Sequence, residues 1–288
     1  MITEENKLEG VENFWNDHLC GSQFINKEIY TPEFFNEYRA FRYKKEHHLL
    51  EIINDYDSTD RDVLEIGLGV GADTTQWAAK SKSHTGIDLT DEAVYSTTEH
   101  LKLLGLKGTI VKGSAEKLPF DDHSFDLVYS QGVLHHTDNI ENTFKEIRRV
   151  LRPDGEFIIM LYTKDSFNYW VRIQFYFRLR LLFEIFKNKI GGKSNSTWDA
   201  HYKNFKNMGW KYWSWKEFPH HCTDGPDCTI ANIYYKKEII DLMVKHGLNV
   251  NRTEKYHFPI ASNYPKLERK LAKYLGFYRF YWGDKGIG

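Results

Sequence analysis

The sequence predicts an α/β fold in which a mostly parallel sheet is packed between helices. Three observations predict it. Between residues 61 and 162, short apolar segments alternate with helical ones. The first apolar segment runs into glycines at alternate positions, Gly67, Gly69 and Gly71. The composition also breaks sharply at the end of this region. Of 45 Phe, Trp and Tyr residues, 7 lie in 61–161 and 17 lie in 162–218. Strands alternating with helices at this spacing imply right-handed βαβ units.

The elements follow in order. DVLEIG (62–67) is a short strand, and Ala72–Lys80 a helix. HTGIDL (84–89) is a second strand, followed by a helix over 91–104 that Gly105 stops. GTIVKG (108–113) and FDLVYS (125–130) are the third and fourth strands. Asp138 and Glu141 have capping-box spacing and open a helix that runs to about Leu151. RPDG (152–155) reads as a turn, and EFIIMLY (156–162) as a fifth strand apolar enough for burial on both faces. The rhythm then lapses for about 70 residues, in which Phe167–Phe186 reads as a lid helix. It resumes with a helix over 234–246, a strand over 248–258, a helix over 265–275 and a strand over 277–282. Residues 1–50 read as two helical pieces. The organisation expected is a helical cap (1–60), a ligand-binding core (61–162), a lid insertion (163–233) and a completion of the sheet (234–288).

Composition excludes several classes. The chain has 288 residues, with 39 Lys+Arg against 40 Asp+Glu. That balance lacks the basic footprint of a nucleic-acid binder, so no nucleic-acid partner is expected. Three cysteines argue against a disulfide scaffold and for a reducing compartment. The acidic start, MITEENKLEG, is not a signal or transit peptide. No apolar run reaches 18 residues, so no span is expected and a cytoplasmic location is. The charge is unevenly placed, however. Residues 163–218 hold 11 Lys/Arg and 4 Asp/Glu, a local +7. Trp210, Trp213 and Trp215 alternate there with Lys211 and Lys216, which also fits a peripheral membrane contact.

Glycines after a parallel strand allow a sharp turn and close backbone approach to a ligand. The helix behind them offers free N–H groups. Asp88 ends the second strand, where an acid accepts ribose hydroxyls. Gly67-x-Gly69-x-x-Ala72 also satisfies the dinucleotide pattern, so a NAD(P)-dependent oxidoreductase competes. Tyr202-x-x-x-Lys206 imitates a dehydrogenase pair but lies in the insertion.

Glu65 with Gly67, Gly69 and Gly71 resembles the E/D-x-G-x-G-x-G motif of class I S-adenosylmethionine (SAM) methyltransferases. Gly113-Ser-Ala-Glu-Lys-Leu-Pro-Phe120, Ser124-Phe-Asp-Leu-Val128, Val133-Leu-His-His-Thr-Asp138 and Glu146-Ile-x-Arg-Val-Leu-x-Pro-x-Gly155 resemble later motifs of that class. The set is similar to its ubiquinone/menaquinone-biosynthesis-like branch, and it covers about residues 61–162. The resemblance implies a Rossmann-like seven-stranded sheet, order 3-2-1-4-5-7-6 with strand 7 antiparallel, and SAM as cofactor. It implies that Glu65 and the glycine loop hold the methionine end and that Asp88 takes the ribose. Leu89, Ser114, Ala115 and Glu116 would border adenine, and Ser130 and Gln131 would line the methionine portion. It also implies methyl transfer to a small molecule. A catalytically silent SAM-binding protein is the other alternative.

Two histidines follow strand four. His135 is the preferred base and His136 the second candidate, since histidine titrates in the useful range. Their alternative role is loop packing before the following helix. Arg42, Tyr43, Trp170, His220 and His221 are candidate acceptor contacts, with packing or surface loop as the plainer alternative. His220, His221, Cys222 and Cys228 match no common zinc spacing, so no metal is expected. The aromatic, basic lid fits an acceptor with a flat or apolar part and an anionic group.

Overall fold

A computed structural model describes residues 4–192 and 195–286. The expected cap, lid and C-terminal ranges extend over residues 1–3, 193–194 and 287–288, which lie outside the described residues. Seven strands form one sheet: β1 (Asp62–Ile66), β2 (Ser83–Asp88), β3 (Thr109–Lys112), β4 (Phe125–Gln131), β5 (Leu151–Tyr162), β6 (Leu248–Tyr256) and β7 (Tyr278–Lys285). Their order is β3-β2-β1-β4-β5-β7-β6. The first five are parallel, and β7 runs antiparallel between β5 and β6. This is the sheet the sequence resemblance implies.

The helices are α1 (Glu4–Asp17), α2 (Pro32–Lys45), α3 (His48–Asp55), α4 (Ala72–Lys80), α5 (Asp91–Leu103), α6 (Ile140–Val150), α7 (Arg178–Lys189), α8 (Ser196–Met208), α9 (Lys236–Lys245) and α10 (Pro265–Leu275). Alternation along the strands sorts side chains into two layers, as the period of two demands. Val128, Phe157, Ile159 and Leu161 pack with Phe144 and Ile147 of α6 and Met243 of α9. Leu127, Tyr129, Ile158 and Met160 pack on the other face with Ile53 of α3, Trp77 of α4, and Ile173 and Leu181 of the lid. The lid is therefore part of one sheet layer.

The elements differ from the sequence reading at four places. RPDG lies inside β5, whose pairing with β4 jumps from Phe125↔Leu151 to Phe125's near neighbour Leu127↔Glu156. The four residues bulge from the strand, where Pro153 needs no ladder partner. Asn139 caps α6, accepting at Oδ1 from the Asn142 N–H (3.2 Å). Asp138 is displaced from that place because its own N–H donates to Glu116 Oε1 (2.9 Å). The N-terminal region holds three helices rather than two pieces, because the chain breaks between α2 and α3. The lid helix begins as a π-helix (Asn168–Phe177) before continuing as α7.

His48, His100, His135 and His201 are among the buried histidines, each at most 2% exposed. Burial lowers each of them, His100 and His201 to about 4. In the unfolded chain they take protons near 6.5. The contribution of each is complete above pH 6.5 and declines as pH falls below it, for His100 and His201 until about 4, because the unfolded state then binds more protons. The urea midpoint should therefore decline from pH 6.5 to 4.5, and less steeply in His100→Gln. A flat profile across that window would contradict this burial.

Candidate active site

The carboxyl ends of β1, β2 and β4 open into a cavity of about 610 Å³. Ligands of open α/β sheets lie at this edge. Gly67, Gly69 and Gly71 all have positive φ (84°, 53° and 77°), which disfavours side chains. At Gly67 a Cβ would also meet Val133 Cγ2 at 1.9 Å. The loop thus brings bare backbone to the cavity floor.

Asp88 is fixed before any ligand arrives. Its Oδ2 accepts from the Leu68 N–H (2.7 Å), and its Oδ1 accepts from Thr90 N–H (3.0 Å) and Oγ1 (2.9 Å). A carboxylate has about four acceptor positions, so acceptor capacity remains for a ligand hydroxyl. Leu89, Ser114, Ala115, Glu116 and Gln131 line the same cavity. Ser114 Oγ accepts from the Glu116 N–H (3.2 Å), which shapes this rim.

Glu65 also lines the cavity, yet it is buried and pairs through Oε2 with His84 Nε2 (3.0 Å). Burial pushes its carboxyl up, and the His84 contact opposes that shift. Beside it stands an acid to which the sequence reading gave no role. Asp73, in the first turn of α4, accepts from Arg42 Nε (3.2 Å) and Nη2 (2.9 Å). It also accepts from the hydroxyls of Tyr43 (3.2 Å) and Tyr129 (3.1 Å). Arg42 Nη2 donates to Gln131 Oε1 (2.8 Å), and Nη1 pairs with Glu46 (3.2 Å). Burial opposes the charge on Arg42, and Asp73 and Glu46 more than restore it. This hub ties α2 to the glycine loop and β4.

His135 and His136 occupy different places. His135 is fully buried, does not line the cavity, and packs against Tyr162 with ring centroids 3.8 Å apart. Burial lowers it. His136, the second candidate, lines the cavity. Its Nδ1 lies 2.5 Å from the Ile230 carbonyl. A carbonyl only accepts, so Nδ1 is the donor, and in the neutral imidazole Nε2 carries the lone pair. Nε2 is 3.8 Å from Asp224 Oδ2, while Asp224 Oδ1 accepts from the Tyr162 hydroxyl (3.0 Å). In the sequence, Asp224-Gly225-Pro226 reads only as a turn.

The other predicted contacts divide. Arg42 is on the cavity wall, but Asp73 and Glu46 hold it. Tyr43 is spent on Asp73 and is not a lining residue. Trp170 is 47% exposed and stands near Trp215, outside the cavity. His220 Nδ1 accepts from the Ala231 N–H (3.1 Å), and His221 Nδ1 donates to the Pro226 carbonyl (2.8 Å); neither lines the cavity, and both brace the loop that carries Asp224. Ser130 lies below the floor, its Oγ donating to the Ile66 carbonyl (2.9 Å). Gly71 turns the chain into α4 rather than lining the space. Asn168, Arg172, His257 and Tyr278 also line the cavity, unanticipated in sequence. They come from the lid and the far strands, where no motif marks them.

His136, Asp224 and Cys228 place possible ligand atoms within 4.8 Å of one another. Tetrahedral zinc draws such atoms to about 3.5 Å. Burial also pushes the Cys228 thiol up, towards the protonated form that binds metal poorly.

Residues 64–159 match the family model described as a methyltransferase domain. Over 99 residues the chain is 31% identical to the uncharacterized methyltransferase YcgJ of Bacillus subtilis, covering 34% of this chain and 39% of that one. It is 36% identical over 101 residues to the sterol 24-C-methyltransferase erg-4 of Neurospora crassa, covering 34% and 27%. The matches thus span well under half of these relatives. The crystal structure of YcgJ superposes with a TM-score of 0.51 at 15% identity, covering 84% of this chain and 99% of that one. A SAM-dependent methyltransferase from Aquifex aeolicus gives 0.53 at 13% identity, covering 88% and 98%. At these identities the structural likeness speaks for the fold. The ubiquinone-like branch is not singled out among these relatives.

Proposed function

We propose, from the premise that residues 64–159 form a class I SAM-dependent methyltransferase domain, that this protein methylates a small molecule by direct in-line transfer. The observation that carries the reading is one cavity lined both by the glycine loop, Asp88 and Ser114–Glu116 and by Met160, Asn168, Arg172 and Tyr278. The first set of residues suits a nucleoside with a charged tail, which leaves the second set for an acceptor. Bound there, SAM supplies a methyl group on a sulfonium, an already activated leaving group.

The chain's own task is then position and proton handling. Transfer needs the acceptor atom about 3–3.5 Å from the methyl, in line. Asp88 takes a ribose hydroxyl, and Leu89 and Ala115 border the base. Backbone at Gly67 and Gly69 meets the methionine end, with Glu65 behind it. The Arg42–Asp73 hub holds Gln131 against the cavity. His136 Nε2 accepts a proton from the acceptor's hydroxyl or amine, and Asp224 stabilises the imidazolium that forms. Met160, Phe24, Phe41 and Tyr278 offer an apolar wall, and Lys45 and Arg172 offer positive charge. An acceptor with an apolar body and an anionic group fits. The sterol substrate in the name of one relative belongs to the same apolar class.

Calorimetric titration tests the cofactor. S-adenosylhomocysteine should bind at micromolar levels and NAD(H) should not; the reverse result would support the oxidoreductase reading. Asp88→Ala should weaken binding by about 1.5–3 kcal/mol, the scale of a lost charge-assisted hydrogen bond, or roughly tenfold or more. Unchanged affinity would remove Asp88 from the site. Labelled SAM offered with a metabolite extract then reports transfer, and a protein that binds the cofactor but labels nothing would be a silent binder.

A further inference from the structure

We propose that the outer face of the lid docks on an anionic bilayer, with the cavity mouth at the edge of the docked surface. The helical stretch 168–189 carries an apolar stripe on the side away from the sheet. Val171, Phe175, Leu179, Leu182, Phe183 and Phe186 recur three or four residues apart and all are exposed, Phe175 by 64% and Phe186 by 63%. Soluble monomers rarely leave so long an apolar stripe to water. The opposite side of the same stretch is spent on the sheet, through Ile173 and Leu181. The stripe is therefore surplus to the lid's own packing.

Its surroundings identify the partner. The stretch carries Arg172, Arg178, Arg180, Lys187 and Lys189, and one acid, Glu184. Glu184 is buried and paired with Arg180 and Lys187, so its charge is not presented to the surface. Arg172 and Lys189 are exposed. A second surface element adjoins it. Trp170 lies 6.3 Å from Trp215, and Trp215 and Trp210 are exposed beside exposed Lys211 and Lys216. Aromatic rings with basic neighbours around an apolar stripe suit the headgroup boundary of a membrane. Two copies meeting through this face would bring like charges together, whereas an anionic lipid surface complements them.

The face is continuous with the cavity. Asn168 and Arg172 belong to the lid stretch and also line the cavity. On the other side of the mouth, Pro259 lines the cavity beside Ile260, which is 70% exposed. Phe258 meets Phe167 at the lid's root, with ring centroids 5.5 Å apart. An apolar acceptor held in a bilayer would thus reach the cavity along apolar surface. Docking follows from the surface alone; delivery of an acceptor rests on the methyltransferase reading.

Co-sedimentation of the full chain with vesicles separates the two. Without cofactor or acceptor, the protein should partition on the order of tenfold more strongly to phosphatidylcholine–phosphatidylglycerol vesicles than to pure phosphatidylcholine, and raised salt should release it. Phe175→Glu/Phe183→Glu should abolish binding while the S-adenosylhomocysteine affinity stays unchanged, which shows that the fold persists. Should that variant not fold, Lys187→Glu/Lys189→Glu should weaken binding to the anionic vesicles, and brominated lipids should quench tryptophan emission in the wild type. No partition to anionic vesicles, or equal partition to both kinds, overturns the proposal. So does a dimer in light scattering that the double phenylalanine substitution splits. Vesicle binding without methyl transfer would leave docking standing and refute the enzymatic reading alone.

Discussion

His136→Asn should lower turnover about 10²–10⁴-fold, the range of a lost general base, with little change in cofactor affinity. Asparagine can still donate to the Ile230 carbonyl, so the loop after Asp224 keeps its tie to the β4 end. What it lacks is the Nε2 lone pair that faces the cavity beside Asp224. Single-turnover measurement on the acceptor found by labelling is the appropriate readout, because it isolates the chemical step. A rate within a few-fold of wild type would mean that the acceptor reaches the methyl already ionised, or that another group takes its proton. Alanine at the same place is a poorer probe, since it also leaves the carbonyl without its donor.

Asp73→Asn should cost about 3 kcal/mol of stability, the lower end for breaking a buried ion pair by removing one partner. Asp73 is buried and accepts from Arg42 twice and from two tyrosine hydroxyls. The amide offers one acceptor oxygen in place of two and removes the charge opposite Arg42. Glu46 stays within 3.2 Å of Arg42, which keeps the loss from being larger. Against a typical total of about 5–15 kcal/mol, the urea midpoint should fall plainly. An unchanged midpoint would show that the hub contributes no net stability. Replacing both partners by apolar residues, Arg42→Met/Asp73→Leu, should recover part of the loss, because no charge is then left unpaired.

The core was legible because its signals are local. Val63, Leu64 and Ile66 lead into glycines whose positive φ the turn requires, and α4 and α10 have the bounds the sequence predicts. The sheet order came through motif resemblance, since no local signal states that β7 inserts between β5 and β6. The cavity wall near the glycine loop shares that legibility: Asp88 ends β2, and Ser114–Glu116 come soon after β3. The opposite wall does not. His136 meets Asp224 across 88 positions of sequence, and Arg42 meets Asp73 across 31. Neither pairing leaves a trace in spacing. His135 and His136 look alike in sequence, and only the turn after β4 decides that one enters the core and the other the cavity wall. Trp170 misled for a related reason, because a helical aromatic has no visible facing until its helix is packed.

The place of β7 has a consequence for how the chain folds. Each parallel strand from β2 to β5 finds a neighbour already synthesised, so this half of the sheet can assemble as it emerges. β6 has only β7 beside it, and β7 pairs Asp284 with Glu156 and Lys285 with Leu248. Until Lys285 has been made, β5 keeps an open edge formed by some of the most apolar residues in the protein. Such an edge invites mispairing with other chains, and contacts this distant in sequence form slowly. The final closure of the sheet, rather than the assembly of the glycine-loop half, is therefore the stage of biogenesis most exposed to aggregation.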